Sequence, residues 1–430
     1  MHDFSSFGKR VMVDVFLFPV MFISAFFDKE QDSGILSFCL VFMKEQESSF
    51  ILVRTPGALG ECLHRMAHTD SVALDTEADS LHHYYEKVCL IQVSLDGRHY
   101  ILDPLGDLDL TPLLDLLARK NLIFHGGDYD LRMLRLTFDF RSMGPVFDTM
   151  IAARILGYGE FGLAALVERF FGVVLCKKRQ KSDWSKRPLS PKQLEYAADD
   201  TRYLKELAAI LKSELKRLGR LEWHRESCNR MKENSGKDNP RDPGEIWRIR
   251  GAGLLSRREL AFLREIWLWR DTEARMTDLP PFKIMGNQQL LRMVQWILPR
   301  TRNPLRGFKL PRNCRGRRLE ALNQAISKAR HTPPRDWPKL RESRTSRESE
   351  TGIKSLIEAL RKECASLAEK IEVESSLIAS RASLTAIARN RARTIPEIVE
   401  AGGLMNWQAE LLLPALEKLW KKHQNRSNQG

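Results

Sequence analysis

The sequence has few cysteines, and they are not arranged as a covalent or zinc-binding framework. Seven cysteines are spread over 430 residues, and no two of them form a Cys-x-x-Cys pair. Disulfide scaffolds and zinc sites both rely on regular cysteine spacing, so neither is indicated here. An odd number of dispersed cysteines is typical of proteins from a reducing compartment, and we therefore expect a cytoplasmic location.

The chain also lacks a P-loop and any helicase motif, which argues against fusion to a replication-fork motor. We expect no small-molecule cofactor. Long apolar runs are scarce: the stretch from Val11 to Phe27 is interrupted by Asp14 and Pro19 and is near the short limit of about 17 residues for a membrane span. It is compatible with a signal-like segment, a marginal membrane segment, or an untranslated region before a start at Met43. We favour the last interpretation, with residues 1–45 as an N-terminal extension and no membrane association.

Positive charge is scarce in the first half of the chain and abundant in the second. Residues 1–200 contain 22 Lys and Arg against 28 Asp and Glu, whereas residues 201–430 contain 47 against 27. A strongly basic region favours binding to a polyanion. The division therefore indicates a catalytic module followed by modules that hold nucleic acid. Arg312–Arg318 is the best candidate for phosphate contact outside the catalytic module.

Two carboxylates follow an apolar run in the first half. Val72–Leu74 predicts a buried strand, and Asp75 and Glu77 come directly after it. Side chains two residues apart on a strand lie on the same face, so both carboxylates project together. Two like charges at this distance are unfavourable unless a cation or a shared proton lies between them.

Two further acidic motifs follow at positions where they could join this pair. In His125–Asp130, two glycines allow a sharp turn from an apolar strand into a helix. In Tyr196–Asp200, the first and last residues are four apart and lie on one helical face. Clustered carboxylates form an oxygen-rich site that suits Mg²⁺ or Mn²⁺ rather than zinc. Two such cations can hold the attacking and leaving oxygens of a phosphoryl displacement, while a tyrosine, with an unperturbed pKa of about 10, suits orientation of the water.

In these motifs the chain resembles the DEDD-type 3′–5′ exonucleases of the tyrosine subclass, specifically the ribonuclease D family. The resemblance covers about residues 50–215. It is carried by Leu74–Glu77, Cys89–Val93, His125–Leu131, Phe147–Thr149, Lys181–Leu189 and the Tyr196-x-x-x-Asp200 spacing. The helical patterns at about 245–330 and 350–425 resemble HRDC domains, which this family carries after the nuclease.

The resemblance implies release of 5′-mononucleotides from RNA 3′ ends with two divalent cations, Mg²⁺ or Mn²⁺. Because bacterial members trim tRNA precursors, tRNA is the implied substrate. The implied metal ligands are Asp75, Glu77, Asp130 and Asp200, and Tyr196 is the implied partner of the water, so that all five are catalytic. Asp128 competes with Asp130, but the family pattern places the catalytic Asp directly before the apolar helix residues. Ala78 stands where most relatives have an aromatic residue.

Five further residues are candidates for substrate binding. Basic side chains near the third motif can contact phosphates, a tryptophan can stack on a base, and a histidine can contact the scissile phosphate. The candidates are His125, Arg179, Lys181, Trp184 and Arg187. All five have structural alternatives: His125 can hold a loop carbonyl, and the other four can form a solvated basic loop with a buried tryptophan. We interpret Gln92 as a satisfied core amide and Asp148 as a helix N-terminal cap.

The order of strand and helix patterns predicts an α/β domain with a mixed central sheet, followed by two small all-α domains. The family resemblance implies that the first is an RNase H-like exonuclease domain and that the other two are HRDC-like. The predicted bounds are 46–218 for the exonuclease, 245–330 and 351–425 for the helical domains, and 219–244 and 331–350 for linkers. We expect a monomer. A DNA-directed exonuclease of the same fold and a non-catalytic RNA-binding adaptor are the alternatives; the complete set of carboxylates argues against the adaptor.

Overall fold

The chain is described here as a computed structural model that covers residues 50–176, 179–236, 242, 244–340 and 350–427. The extension predicted at 1–45 lies outside the described residues. Among the described helices, none combines the length and apolar character needed to cross a membrane.

A six-stranded sheet forms the centre of the first domain. Its order is β1-β4-β3-β2-β5-β6. The β2–β3 and β3–β4 pairs are antiparallel, and the other three pairs are parallel, which confirms the predicted mixed sheet. The strands are β1 (Phe50–Val53), β2 (Ser71–Ala78), β3 (Val88–Leu95), β4 (Arg98–Leu102), β5 (Asn121–Phe124) and β6 (Val146–Asp148).

The central strands have the sequences expected for burial on both faces. All eight residues of β3 are buried, and six of them are apolar. In β2, the buried Val72–Leu74 run gives way to Asp75 and Glu77. The register shifts between Glu77 and Ala78, where the strand leaves the sheet. Both carboxylates are paired with β3, but the pairing of β2 with β5 ends at Ala73. They therefore stand where β2 has a neighbouring strand on one side only and a cleft can open on the other.

Helices cover both faces of this sheet. They are α1 (Pro56–Ala67), α2 (Thr111–Arg119), α3 (Asp128–Phe138), α4 (Thr149–Ile155), α5 (Leu163–Phe171), α6 (Pro191–Arg202), α7 (Leu204–Arg217) and α8 (Leu221–Gly236). The first three pack their apolar faces on one side of the sheet. Helices α6 and α7 pack on the other side, where the functional motifs meet. As predicted, Asp148 caps α4, since its Oδ1 accepts from the backbone N–H of Ile151 at 2.9 Å.

Helix α8 corrects the prediction of a linker at 219–244. Although its composition is polar, this helix has a narrow buried face. His224 and Cys228 lie on that face and are 3% and 1% exposed. The Nε2 atom of His224 lies 3.0 Å from the carbonyl oxygen of Asp148, so the helix is fastened to the edge of the sheet. A polar segment with only a few apolar contacts can thus form a packed helix, because tertiary contact rather than periodicity stabilises it.

Two helical units follow, each with a hydrophobic core of its own. The first contains α9 (Arg257–Met276), α10 (Pro281–Ile284), α11 (Asn287–Ile297) and α12 (Arg317–His331). The second contains α13 (Glu350–Lys370), α14 (Ser375–Ile378), α15 (Arg381–Asn390), α16 (Ile395–Gly402) and α17 (Asn406–Ser427). Both units begin with a long helix, continue with a single helical turn that ends in extended backbone, and then enter another helix.

The second helical unit docks on α8. Trp223 of α8 and Trp407 of α17 stack with ring centroids 4.8 Å apart. Glu226 accepts hydrogen bonds from the backbone N–H groups of Asn406 and Trp407, at 2.6 and 3.2 Å. A carboxylate at a helix N-terminus is favourable because the first N–H groups of a helix lack partners within it. The segment predicted as a linker is therefore the docking site for this unit.

The basic segment Arg312–Arg318 is only partly available to phosphates. Arg317 and Arg318 form ion pairs with the buried carboxylate of Glu273, at 2.8 and 3.1 Å. These two arginines stabilise the first helical unit, which the sequence did not indicate. Arg312 and Arg315 are exposed and remain candidates for phosphate contact.

Candidate active site

Three of the predicted carboxylates converge in one cavity of the first domain. One oxygen from each of Asp75, Glu77 and Asp200 lies within 4.8 Å of the other two. All three residues line a cavity of about 550 Å³. That volume is within the range of about 300–1,000 Å³ for small-ligand sites.

Strand β2 and helix α6 bring these groups together. Asp75 and Glu77 share one face of β2, and α6 packs against that face through Ala197 and Ala198. Helix α6 starts at a capping box formed by Ser190 and Gln193, with a proline at its first turn. From there, Tyr196 and Asp200 reach the cavity one helical turn apart.

The fourth carboxylate, Asp130, joins the cluster through the backbone of β2. Its Oδ1 atom accepts from the N–H of Thr76 at 3.0 Å and from the Thr76 hydroxyl at 2.7 Å. Thr76 stands between Asp75 and Glu77, so Asp130 is held beside both. Asp128, the competing candidate, is exposed at the start of α3. This placement favours Asp130.

Asp199, next to Asp200 in sequence, lies outside the cluster. It forms an ion pair with Arg202 at 2.9 Å and does not line the cavity. The two neighbouring aspartates of this motif therefore have different surroundings.

Burial raises the pKa of every carboxyl group in the cluster, and the charges of neighbouring carboxylates raise it further. The pKa of Asp75 is well above its usual value because of burial and the charges of Asp130, Asp200 and Glu77. Burial and two of the same neighbours raise the pKa of Glu77. Burial raises the pKa of Asp130 to about 6, against the Thr76 hydrogen bonds, and burial with the Asp199 charge raises that of Asp200 to about 8. Such shifts show that the arrangement is unfavourable for the protein alone.

A divalent cation relieves this repulsion. Among the described residues, Asp75, Glu77 and Asp200 have no Lys, Arg or His within ion-pair distance. Oxygen atoms from several carboxylates are the ligands that hard divalent cations prefer. The residues present fit a divalent metal ion, and the donor set is not one that zinc selects.

Tyr196 and His125 have protonation states that limit what they can do. The pKa of Tyr196 is raised by burial and by Asp200, Glu77 and Asp75, so its hydroxyl stays protonated and suits hydrogen bonding rather than base catalysis. Burial lowers the pKa of His125 to about 4, so its ring is neutral at pH 7. The Thr149 hydroxyl donates to the carbonyl of Phe124 at 3.0 Å and lies 2.9 Å from His125 Nδ1. Nδ1 must then carry the proton, which leaves Nε2 as an acceptor.

Trp184 and Arg187 do not take the places that the sequence suggested. Trp184 is 1% exposed and packs against Tyr196, with ring centroids 6.0 Å apart, so it cannot stack on a base. Arg187 forms a bidentate ion pair with Asp103, both distances being 2.6 Å, and donates to the carbonyl of Cys89. These residues hold the loop that precedes α6 against the sheet, because a buried aromatic ring and a bidentate arginine each fix local geometry.

Arg179 and Lys181 are exposed on that same loop. Their neighbours Gln180 and Ser182 line the cavity. The structure therefore places two exposed cationic residues at the rim of the cleft, next to residues that line it.

Several cavity residues were not found from the sequence. Ser80, Leu81 and Leu163 line the cavity from loops or helix starts, and Tyr129 donates to Ser80 Oγ at 2.9 Å. Of these residues, only Tyr129 belonged to a recognised motif. Its position between Asp128 and Asp130 could have indicated that it lies near the site. Gln92 differs from its prediction as a satisfied amide: it is fully buried opposite Asp75, and neither side-chain atom has a hydrogen-bond partner within the described chain.

Comparison with known proteins agrees with this geometry. A family model described as 3′–5′ exonuclease matches residues 50–216, and an HRDC domain model matches residues 259–312. Ribonuclease D of Granulibacter bethesdensis is 30% identical over 340 residues, which cover 76% of this chain and 83% of that protein. Ribonuclease D of Zymomonas mobilis is 35% identical over 249 residues, 56% of this chain but only 62% of that protein.

A solved structure shows the same architecture over most of the chain. The crystal structure of Escherichia coli RNase D matches with a TM-score of 0.67 and 26% identity, covering 87% of this chain and 99% of that one. The mixed sheet, the HRDC match and the convergence of the acidic motifs agree with this likeness. This chain therefore belongs to the ribonuclease D family of hydrolytic 3′–5′ exoribonucleases.

Proposed function

We propose that this protein removes 5′-mononucleotides one at a time from RNA 3′ ends, using two divalent cations, Mg²⁺ or Mn²⁺. The observation that carries the proposal is the convergence of Asp75, Glu77 and Asp200 within 4.8 Å, with Asp130 hydrogen-bonded to Thr76, the residue between the first two. Bound at this cluster, divalent cations would lower the pKa of a water nucleophile and neutralise charge on the scissile phosphate.

The protein groups have separate roles in this proposal. Asp75, Glu77, Asp130 and Asp200 hold the cations, and Thr76 fixes Asp130 so that its second oxygen is free to bind. Tyr196 keeps its proton and donates a hydrogen bond, which orients the attacking water. His125 is neutral and presents Nε2 as an acceptor, so it suits a ribose hydroxyl better than a phosphate. Arg179 and Lys181 supply positive charge at the rim for the phosphates behind the terminal nucleotide.

The helical units hold the body of the RNA in this proposal. The region after residue 200 carries 47 Lys and Arg against 27 Asp and Glu, and phosphate contacts dominate affinity for nucleic acids. We propose that the second unit is also HRDC-like, because its sequence of long helix, single turn and helix repeats that of the first. Precursors of tRNA in the cytoplasm are the proposed substrate, and a monomer is the proposed active form. E. coli RNase D, which shares the architecture, is described as an exoribonuclease involved in structured RNA processing.

The test is degradation of a single-stranded RNA with a labelled 3′ end, with and without Mg²⁺ or Mn²⁺. We expect labelled mononucleotide to be released first, in the presence of either cation, and EDTA to stop the release. A DNA strand of the same sequence is the comparison substrate. Internal fragments instead of mononucleotides, or cleavage that resists EDTA, would overturn the proposal, and equal rates on DNA and RNA would favour a general exonuclease.

A further inference from the structure

The loop between β2 and β3, residues 79–87, forms one wall of the active-site cavity. It begins two residues after Glu77, and its Ser80 and Leu81 line the cavity. Tyr129, which also lines the cavity, donates to Ser80 Oγ. The position of this wall therefore controls the space beside the carboxylate cluster.

The second half of this loop forms several contacts with the first helical unit, in addition to those with its own domain. One carboxylate of that unit, Asp278, accepts from the backbone N–H groups of Tyr84 and Tyr85, at 3.0 and 3.2 Å. Its other oxygen lies 2.7 Å from His83 Nδ1. Asp278 follows α9 in a left-handed conformation with a φ of 47°, which aspartate tolerates better than most residues. A single side chain thus serves three donors of the loop.

Tyr84 adds further contacts between this loop and the first helical unit. Its hydroxyl donates to Asp271 at 2.9 Å and accepts from Arg275 Nε at 2.8 Å. Its ring packs against the hydrophobic core of the first helical unit. The tip of the loop is therefore part of the helical unit in its contacts, although it belongs to the exonuclease in sequence.

His83 also connects this loop to the other wall of the cavity. The Nε2 atom of His83 lies 2.9 Å from Ser185 Oγ, and Ser185 in turn donates to Asp183 at 2.6 Å. Ser185 belongs to the loop whose Gln180 and Ser182 line the cavity. Both walls of the cavity thus contact His83, and Asp278, which lies outside the exonuclease domain, contacts His83 in turn.

We propose that Asp278 is a positioning residue through which the first helical unit sets the shape of the active-site cleft. It acts on the RNA indirectly, by holding residues 79–87 so that Ser80 and Leu81 contact the terminal nucleotide. This inference rests on the proposed exoribonuclease function. It adds to the helical unit a task different from electrostatic binding of the RNA body.

The test compares Asp278→Ala and Asp278→Asn with Glu320→Gln in the full-length protein. Glu320 lies exposed on the same unit, so its variant removes the same charge without touching the loop. We expect Asp278→Ala to raise KM for a short 3′-labelled RNA about tenfold, since loss of a charged acceptor corresponds to roughly that factor, while kcat changes much less. Asp278→Asn keeps an acceptor for the backbone N–H groups and should recover part of the loss.

Hydrogen exchange gives a readout that does not depend on cleavage. In Asp278→Ala, the amides of residues 79–87 should exchange about tenfold faster than in Glu320→Gln, while those of β2 stay protected. Unchanged loop exchange, or a KM equal to that of Glu320→Gln, would overturn the inference. If the unaltered protein failed to cleave RNA, the proposed function would fall, yet loop exchange would still support or refute the role of Asp278.

Discussion

Two groups of carboxylates in this molecule, one buried and one half-buried in a cleft, have opposite surroundings. In the first helical unit, Glu273 is 1% exposed and forms ion pairs with Arg317 and Arg318. In the exonuclease cleft, Asp75 and Glu77 lie beside other carboxylates, and no cationic side chain among the described residues pairs with them. A buried charge requires a partner. In the helical unit the chain supplies that partner itself, and in the cleft the partner must come from solution.

The largest effect should follow from removing one carboxylate of the cleft. Asp75→Asn is expected to lower cleavage by about a thousandfold, because several kcal/mol of transition-state stabilisation depend on the bound cation. Without cations, the same change should raise the melting temperature, since it removes a charge from a repulsive cluster. RNA binding in EDTA should stay as in the unaltered protein. Retained cleavage, or a lower melting temperature without cations, would show that Asp75 is not part of such a cluster.

The corresponding change in the helical unit should act in the opposite direction on stability. Glu273→Gln leaves two arginines without their buried partner and is expected to cost about 3 kcal/mol of unfolding free energy, measured by urea denaturation. Glu320→Gln, which removes an exposed carboxylate from the same unit, is the control and should be nearly neutral. A stabilising effect of Glu273→Gln would contradict the comparison, because removing a carboxylate would then stabilise the protein whether or not that carboxylate is paired with arginine.

Tyr196→Phe should produce a smaller loss than Asp75→Asn. In the proposed mechanism the Tyr196 hydroxyl donates to the nucleophile but is not a ligand, so we expect kcat to fall about a hundredfold with cation affinity unchanged. Titration of Mn²⁺ into both proteins checks the affinity, and single-turnover cleavage checks the rate. Equal loss of cation affinity would place Tyr196 among the ligands instead.

The smallest effect concerns stability as a function of pH. The pKa of Asp200 is raised to about 8 by burial and by Asp199, so the folded protein binds a proton that the unfolded chain releases near pH 4. Without cations, this group makes the protein less stable as the pH rises from about 4 to 8. Cations bind the deprotonated carboxylates, so Mg²⁺ should raise the melting temperature by a few degrees more at pH 8.5 than at pH 5.5. Asp200→Asn should reduce this difference between the two pH values, while the raised pKa values of Asp75, Glu77 and Asp130 preserve part of it.

The sequence predicted those parts of the molecule that depend on local pattern. Asp75 and Glu77 could be placed on one face because strand geometry alternates, and Tyr196 with Asp200 because a helix repeats every 3.6 residues. Helix α8 could not be foreseen, because His224 and Cys228 are buried only through contact with a distant sheet edge. Long-range pairing also decided the roles of Trp184 and Arg187, which local composition suggested would face the substrate.

The same limit applies to the cavity walls and the helical unit. Asp278 lies nearly 200 residues from the loop that it holds, and neither segment carries a pattern that indicates the other. The sequence suggested that Arg317 and Arg318 bind phosphate, because their partner, Glu273, is more than 40 residues away and could not be recognised from the local pattern. Charge composition reports how many basic groups a region has, but only the fold shows which of them are already paired.

The most direct test of the account is the position of Mn²⁺ in crystals, located by its anomalous scattering. We expect Mn²⁺ among Asp75, Glu77 and Asp200, about 2.0–2.6 Å from their carboxylate oxygens, with Asp130 joining through the oxygen that Thr76 does not engage. The account is contradicted if this cleft holds no Mn²⁺ at a concentration that supports full RNA cleavage.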